Sequence, residues 1–379
     1  MEKILQLITK ETSGESYHTA KVELEMELDS TSRIEYENFP TEIVLKKNGE
    51  TRPSRSPVLL KKQAMNISSN GMQILSYFLD GTRRVYKVDE IAYQTGSRKL
   101  VYPIFAAQIV TGCCLRLEKK LHVEKFFDEI ILVLPDIANY SGHDGFFPAL
   151  VTKINTRSKV RISKILSYST NHNPVEKFED RAITKIMTYM HDSEINLVAE
   201  LVKRNKLDQK NYLVKDGSLE YRILNERRFN PKNYSFVIGV SKKFNPARIK
   251  DSSDKINPGL VADLPSFCRT PVTICERGDF HGGQKIAVWY LRLRDKRFSN
   301  SPFDGVIKVE KILVTDLEIS SGRIDSEEAN LLSTYLLNER NPVCYGTDVR
   351  WANHIYPIFL TESFIKSRFI SAETFLNFF

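Results

Sequence analysis

Two segments of this chain read alike: Phe78-Leu79-Asp80-Gly81-Thr82-Arg83 and Leu213-Val214-Lys215-Asp216-Gly217-Ser218-Leu219, with their aspartates 216 − 80 = 136 residues apart. Each ends an apolar run in Asp, then Gly, then a hydroxyl residue. The pattern predicts two strands that each release a carboxylate where the chain turns. Carboxylates from different strands can converge on one hard cation, and Mg²⁺ or Mn²⁺ prefers oxygen ligands. One Asp-Gly-Ser/Thr alone signals only a turn, so the weight of the pair rests on what surrounds it.

Between Ala182 and Val202 the hydrophobic period becomes helical. Ile183, Ile186, Met187, Met190, Leu197, Val198, Leu201 and Val202 form one apolar face. Strands are predicted at Tyr212–Val214, Ser235–Val240, Ile286–Leu293 and Val306–Val314, and closing helices at Ser326–Leu337 and Phe359–Phe369. Arg83-Arg84 followed by Val85-Tyr86-Lys87-Val88 reads as a hairpin partner of the strand that delivers Asp80. Mixed strands with helices at both ends indicate an α/β fold.

Residues 1–65 read as an N-terminal appendage. Val22, Leu24, Met26 and Leu28 alternate with glutamates as in a half-buried strand, and Lys46 to Pro57 is polar, basic and rich in turn formers. Residues 66–379 form the main domain. Within it, residues 245–285 carry four prolines and Asp251-Ser252-Ser253-Asp254, reading as a long insertion between core strands.

Lys+Arg minus Asp+Glu is 55 − 47 = +8 over 379 residues, a balance that suits a polyanionic partner. Five cysteines, an odd and sparse set, argue against a disulfide framework and for a reducing compartment. The charged start Met1-Glu2-Lys3 is unlike a signal peptide, and no apolar run is long enough to span a bilayer, so a cytoplasmic location is expected. Gly278-Asp279-Phe280-His281-Gly282-Gly283 lacks the Gly-Lys-Ser/Thr of a P-loop, so this chain is not expected to bind ATP itself.

In chain order the motifs are Asp80-Gly81-Thr82, a helix carrying a Glu, Asp216-Gly217-Ser218-Leu219, Phe236-Val237-Ile238-Gly239-Val240-Ser241-Lys242, Tyr290-Leu291-Arg292-Leu293 and Tyr356-Pro357-Ile358-Phe359-Leu360. Over about residues 74–372 this order resembles the NurA nuclease family. The resemblance implies an RNase H-like mixed sheet or barrel flanked by helices, and a DNA nuclease dependent on Mn²⁺ or Mg²⁺. It also implies a homodimer that works with a HerA-type hexameric DNA-translocating ATPase, in DNA end processing or anti-phage defence.

Carried onto this sequence, the resemblance makes Asp80, Asp216 and a helical glutamate the metal ligands, with Tyr356 in the active site. Glu194 and Glu200 compete for the helical position. They lie about 120° apart around a helix, and Glu194 is preferred for its setting ahead of Ile195 and Leu197. Lys242 and Arg292, at strand positions, and Arg83 and Arg84, just past the first Asp, are the candidate phosphate contacts. The family's His eight residues after the closing Tyr is Phe364 here, which leaves His354 as a substitute or the site one ligand short. The other functional class open to such a chain is a catalytically weak or inactive DNA-binding adaptor of the same ATPase.

Overall fold

A computed structural model describes residues 3–24, 44–46, 48–54, 56–71, 73–171, 176–219, 229–250, 255–276, 284–299, 301–340 and 351–379. Its principal strands are β1 (Leu75–Thr95), β2 (Arg98–Leu117), β3 (Lys120–Pro135), β4 (Lys164–Tyr168), β5 (Tyr212–Asp216), β6 (Val237–Ser241), β7 (Thr273–Glu276), β8 (Lys285–Arg292) and β9 (Val306–Ile312). The longer helices are α1 (Ile4–Thr12), α2 (Lys61–Asn70), α3 (Phe146–Arg157), α4 (Phe178–Lys203), α5 (Ser326–Asn338) and α6 (Tyr356–Lys366).

One mixed sheet joins the strands in the order β7-β8-β9-β6-β5-β1-β2-β3-β4, with Val44–Lys46 outside β7. Strands β1, β5 and β6 run parallel to one another; β9 runs antiparallel to β6, and β2 antiparallel to β1. Helices cover both faces, so the protein is mixed α/β.

Strand alternation sorts the core into two layers. Phe78, Val214, Ile238, Val240 and Val309 pack on one face with Leu332 and Leu336 of α5 and Ile358 of α6. Leu79, Leu213, Val237 and Ile312 pack on the other with Ile195, Val198 and Leu201 of α4. The helical period read between Ala182 and Val202 is the inward face of α4, which starts earlier, at Phe178.

One expectation changes. No hairpin forms at Asp80-Gly81-Thr82: β1 runs on for 21 residues, and its ladder with β2 is closed at Thr95↔Arg98. Gly81 sits mid-strand opposite Thr111. A turn does follow Asp216, where Gly217 has φ 85°, a left-handed conformation that glycine takes without a Cβ clash.

Described parts of the first 65 residues, α1 and Glu50, pack into the core. Ile4, Leu5, Leu7 and Ile8 of α1 are buried with Tyr86, Val88, Leu132 and Phe375. Glu50 and Arg269 form a fully buried ion pair at 2.6 Å, and Glu50 also accepts from the Val272 N–H at 3.0 Å. Of the predicted apolar stripe, Val22 lies in a short strand against β1 and Leu24 packs beneath it. Met26 and Leu28 lie outside the described residues. Among the described residues no helix is long and apolar enough to cross a membrane.

Candidate metal centre

The register of the three parallel strands builds the centre. Leu79 pairs with Lys215 and Val240 with Asp216, so Asp80, Asp216 and the residues ending β6 reach one level of the sheet. Asp80 and Asp216 share the face of Phe78 and Val214, the face crossed by α6. On α6, Ile358 is anchored in the core, and Glu362 follows one turn later on the same side. Asp80, Asp216 and Glu362 each offer an oxygen, and these atoms lie within 4.8 Å of one another. Asp80 is buried; the other two are half-buried and reachable from solvent.

Lys242, just past the end of β6, enters the same group. Its Nζ lies 3.0 Å from Asp216 Oδ2 and 2.9 Å from Glu362 Oε2. Lys366, one turn beyond Glu362, lies 2.9 Å from Glu362 Oε1. The Lys242 carbonyl accepts from Asn353 Nδ2 at 2.9 Å, which fixes this stretch of backbone. Three carboxylates and two ammonium groups leave a formal 2 − 3 = −1.

Burial, then the charges of Asp216 and Glu362, pushes Asp80 well above the usual carboxylate range. Burial also opposes ionisation of Glu362, but Lys242 and Lys366 outweigh it and hold that carboxyl at about 2. Burial lowers Lys242, and Asp216 with Glu362 more than reverses this, so its ammonium is held above its ordinary value.

An all-carboxylate donor set suits a hard divalent cation. The mutual repulsion registered at Asp80 is what a cation there relieves. The residues therefore fit a hard divalent cation, which Asp80, Asp216 and Glu362 would hold.

Glu194 approaches from the opposite face of the strand, near enough that its charge adds to the rise at Asp80. Gly81 alternates with Asp80 and faces α4, where a Cβ would lie 2.8 Å from Glu194 Oε1. Glu194 is buried and paired with Lys215 at 3.2 Å. Burial raises its pKa and Lys215 works against that rise. Its position is thus behind the sheet, beneath Gly81, and the third carboxylate on the Asp80 face is Glu362. Glu200, the competing residue, makes surface ion pairs with Lys125 and Arg204.

The Asp216 loop is held from that rear face. Lys215 Nζ donates to the carbonyls of Asp216 at 2.8 Å and Ser218 at 3.3 Å. Glu310 on β9 accepts from Ser218 Oγ at 2.8 Å and from the Leu219 N–H at 2.6 Å, while its other oxygen pairs with Lys308 at 2.6 Å.

Of the expected phosphate contacts, only Lys242 reaches the cluster. Arg292 is fully buried, and its guanidinium donates to the carbonyls of Val261, Ala262, Pro302 and Asp304, pinning the 245–285 insertion to the loop before β9. Arg84 stacks over Phe369 at 4.7 Å and donates to the Ile370 carbonyl. Arg83 faces α4; burial first, then Lys215 and Arg83, lowers His191 to about 3. Tyr356 opens α6, 40% exposed, about 120° around the helix from Glu362. His354 is buried against Phe359, and Phe364 packs edge-on to Phe126; neither belongs to the carboxylate group.

Glu362 was missed by the sequence reading, although a signal exists. It is the lone acid of a largely apolar helix, Tyr-Pro-Ile-Phe-Leu-Thr-Glu-Ser-Phe-Ile-Lys.

The close approach at Gly81 makes a test. Gly81→Ala is expected to cost about 1–3 kcal/mol through overpacking against Glu194 and Met190, the latter 3.1 Å from the added Cβ. Chemical denaturation measures it, and an unchanged midpoint contradicts the tight packing.

No protein-family model matches the chain, and no curated protein matches it. Among solved structures it is similar to the NurA nuclease from Sulfolobus solfataricus, with a TM-score of 0.41 and 11% identity, over 81% of this chain and 88% of that one.

Proposed function

We propose that this protein is a divalent-metal-dependent DNA nuclease of the NurA type with an RNase H-like core. The observation that carries the reading is the convergence of Asp80, Asp216 and Glu362 from two parallel strands and a helix, with Lys242 among them. The order of sequence motifs and the +8 balance point the same way.

Phosphodiester hydrolysis needs an activated water and stabilisation of charge on the attacking and leaving oxygens. A bound Mn²⁺ or Mg²⁺ supplies both. The chain's own residues do the rest. Asp80, Asp216 and Glu362 would hold the cation, and the ammonium of Lys242 would offer a point charge to a phosphate oxygen. The rear hydrogen bonds from Lys215 and Glu310 keep Asp216 in place. The resemblance extends the proposal to a homodimer docked on a HerA-like hexameric ATPase in the cytoplasm, in end processing or defence against foreign DNA.

A second reading has its own observation. Lys242 and Lys366 already neutralise most of the cluster, as in a structural ion-pair network of a non-catalytic adaptor. Incubating purified protein with linear single- and double-stranded DNA, in Mn²⁺, in Mg²⁺ and in chelator, separates the two. The nuclease reading expects cleavage in metal alone. DNA binding without cleavage in any metal selects the adaptor.

A further inference from the structure

We propose that Lys242 is a built-in counter-ion that occupies the cation's place and must be displaced for metal to bind, so that metal and DNA enter the site cooperatively. The proposal rests on the metal-site reading above.

The geometry is specific. Lys242 Nζ touches Asp216 Oδ2 at 3.0 Å and Glu362 Oε2 at 2.9 Å, oxygens of two of the three carboxylates that would hold the cation. A divalent ion takes such oxygens at roughly 2.0–2.6 Å. Ammonium and metal would then sit within a few ångströms of each other, on the same two carboxylates, with the lysine side chain only 8% exposed. That repulsion is strong where water is scarce.

The means of withdrawal is also present. The Lys242 backbone is tied through its carbonyl to Asn353, while the ammonium rides on a flexible four-carbon stem. Lys366 stays on Glu362 Oε1 and keeps that carboxylate oriented when Lys242 leaves. A displaced ammonium needs an anion, and a DNA phosphate beside the metal provides one. Each ligand therefore favours the other, and linkage makes the coupling reciprocal.

The test is Mn²⁺ binding, read from the free Mn²⁺ electron paramagnetic resonance signal, with and without a phosphorothioate-linked single-stranded oligonucleotide that resists cleavage. Without DNA, Lys242→Gln is expected to bind Mn²⁺ about tenfold more tightly than the wild type, or better. Lys242→Arg, which keeps the charge, should stay near the wild type. The oligonucleotide should tighten Mn²⁺ binding to the wild type by a larger factor than binding to Lys242→Gln. The wild-type comparison needs no variant and stands even where a substitution impairs folding. Equal or weaker Mn²⁺ binding by Lys242→Gln, or no tightening of the wild type by DNA, overturns the counter-ion role while leaving the metal site intact. If neither protein binds Mn²⁺ at millimolar concentration, the metal site itself fails, and this proposal with it.

Discussion

Asp80→Asn and Asp216→Asn are each expected to lower metal-dependent DNA cleavage by about 10³-fold or more, the scale on which removing one member of a catalytic unit acts. The two carboxylates, with Glu362, share one task, so the double variant should be little worse than either single one. Stability should move the other way. Asp80 is buried beside two other carboxylates that push it well above the usual range, so removing one of the three relieves repulsion. The thermal melt of Asp80→Asn is therefore expected at or above the wild-type midpoint. A ligand cluster gives this combination of lost activity and retained stability; a structural ion-pair network gives the opposite one.

The second large effect is expected at Glu310, far from any substrate. It is fully buried, with its two oxygens spoken for by Lys308, Ser218 and the Leu219 N–H. The loop it holds crosses β6 at Gly239, where a Cβ would meet the Gly217 carbonyl at 2.9 Å. Glu310→Ala removes the buried carboxylate that pairs with Lys308 at 2.6 Å, which costs roughly 3–5 kcal/mol. It also removes the acceptor of the Ser218 hydroxyl and the Leu219 N–H, two and three residues past Asp216. A displacement of Asp216 of about 1 Å would lower turnover by about 10²-fold. Glu310→Gln keeps the shape and an acceptor for the Leu219 N–H, so it should recover part of both losses. Denaturant midpoints and single-turnover rates measure the two effects separately. Full activity in a folded Glu310→Ala would remove the loop from the account.

What the sequence made legible was the strand that ends in Asp216, the long helix α4 and the strand that ends beside Lys242. Each is a local pattern: an apolar run closed by a turn former, or a helical period. At Asp80 the expected turn was misjudged, because the backbone runs on as a strand. Asp-Gly-Thr looks like a turn, yet Gly81 is there because α4 leaves no room for a side chain, a fact of packing that no local pattern holds. The same blindness to distant partners hid the place of Glu50 and α1 in the core. Arg292 resembled a phosphate contact because an arginine in an apolar strand demands an anion or acceptors, and here four carbonyls from loops 10 to 31 residues away supply them. Lys215 posed the same question, answered by Glu194 across the layer. Glu362 stayed hidden because the family pattern directed attention to position 364, two residues along the same helix.

The central claim is that these carboxylates make a metal-dependent nuclease centre. It is tested most directly by the rate of cleavage of end-labelled linear DNA as Mn²⁺ is titrated from chelated to saturating, for the wild type and for the Asp80→Asn, Asp216→Asn double variant prepared alongside. The account predicts a wild-type rate that rises from zero with Mn²⁺ and saturates, and a double variant that stays near the uncatalysed baseline while remaining folded. Cleavage by the wild type in full chelation, or equal Mn²⁺-dependent cleavage by the double variant, would contradict it.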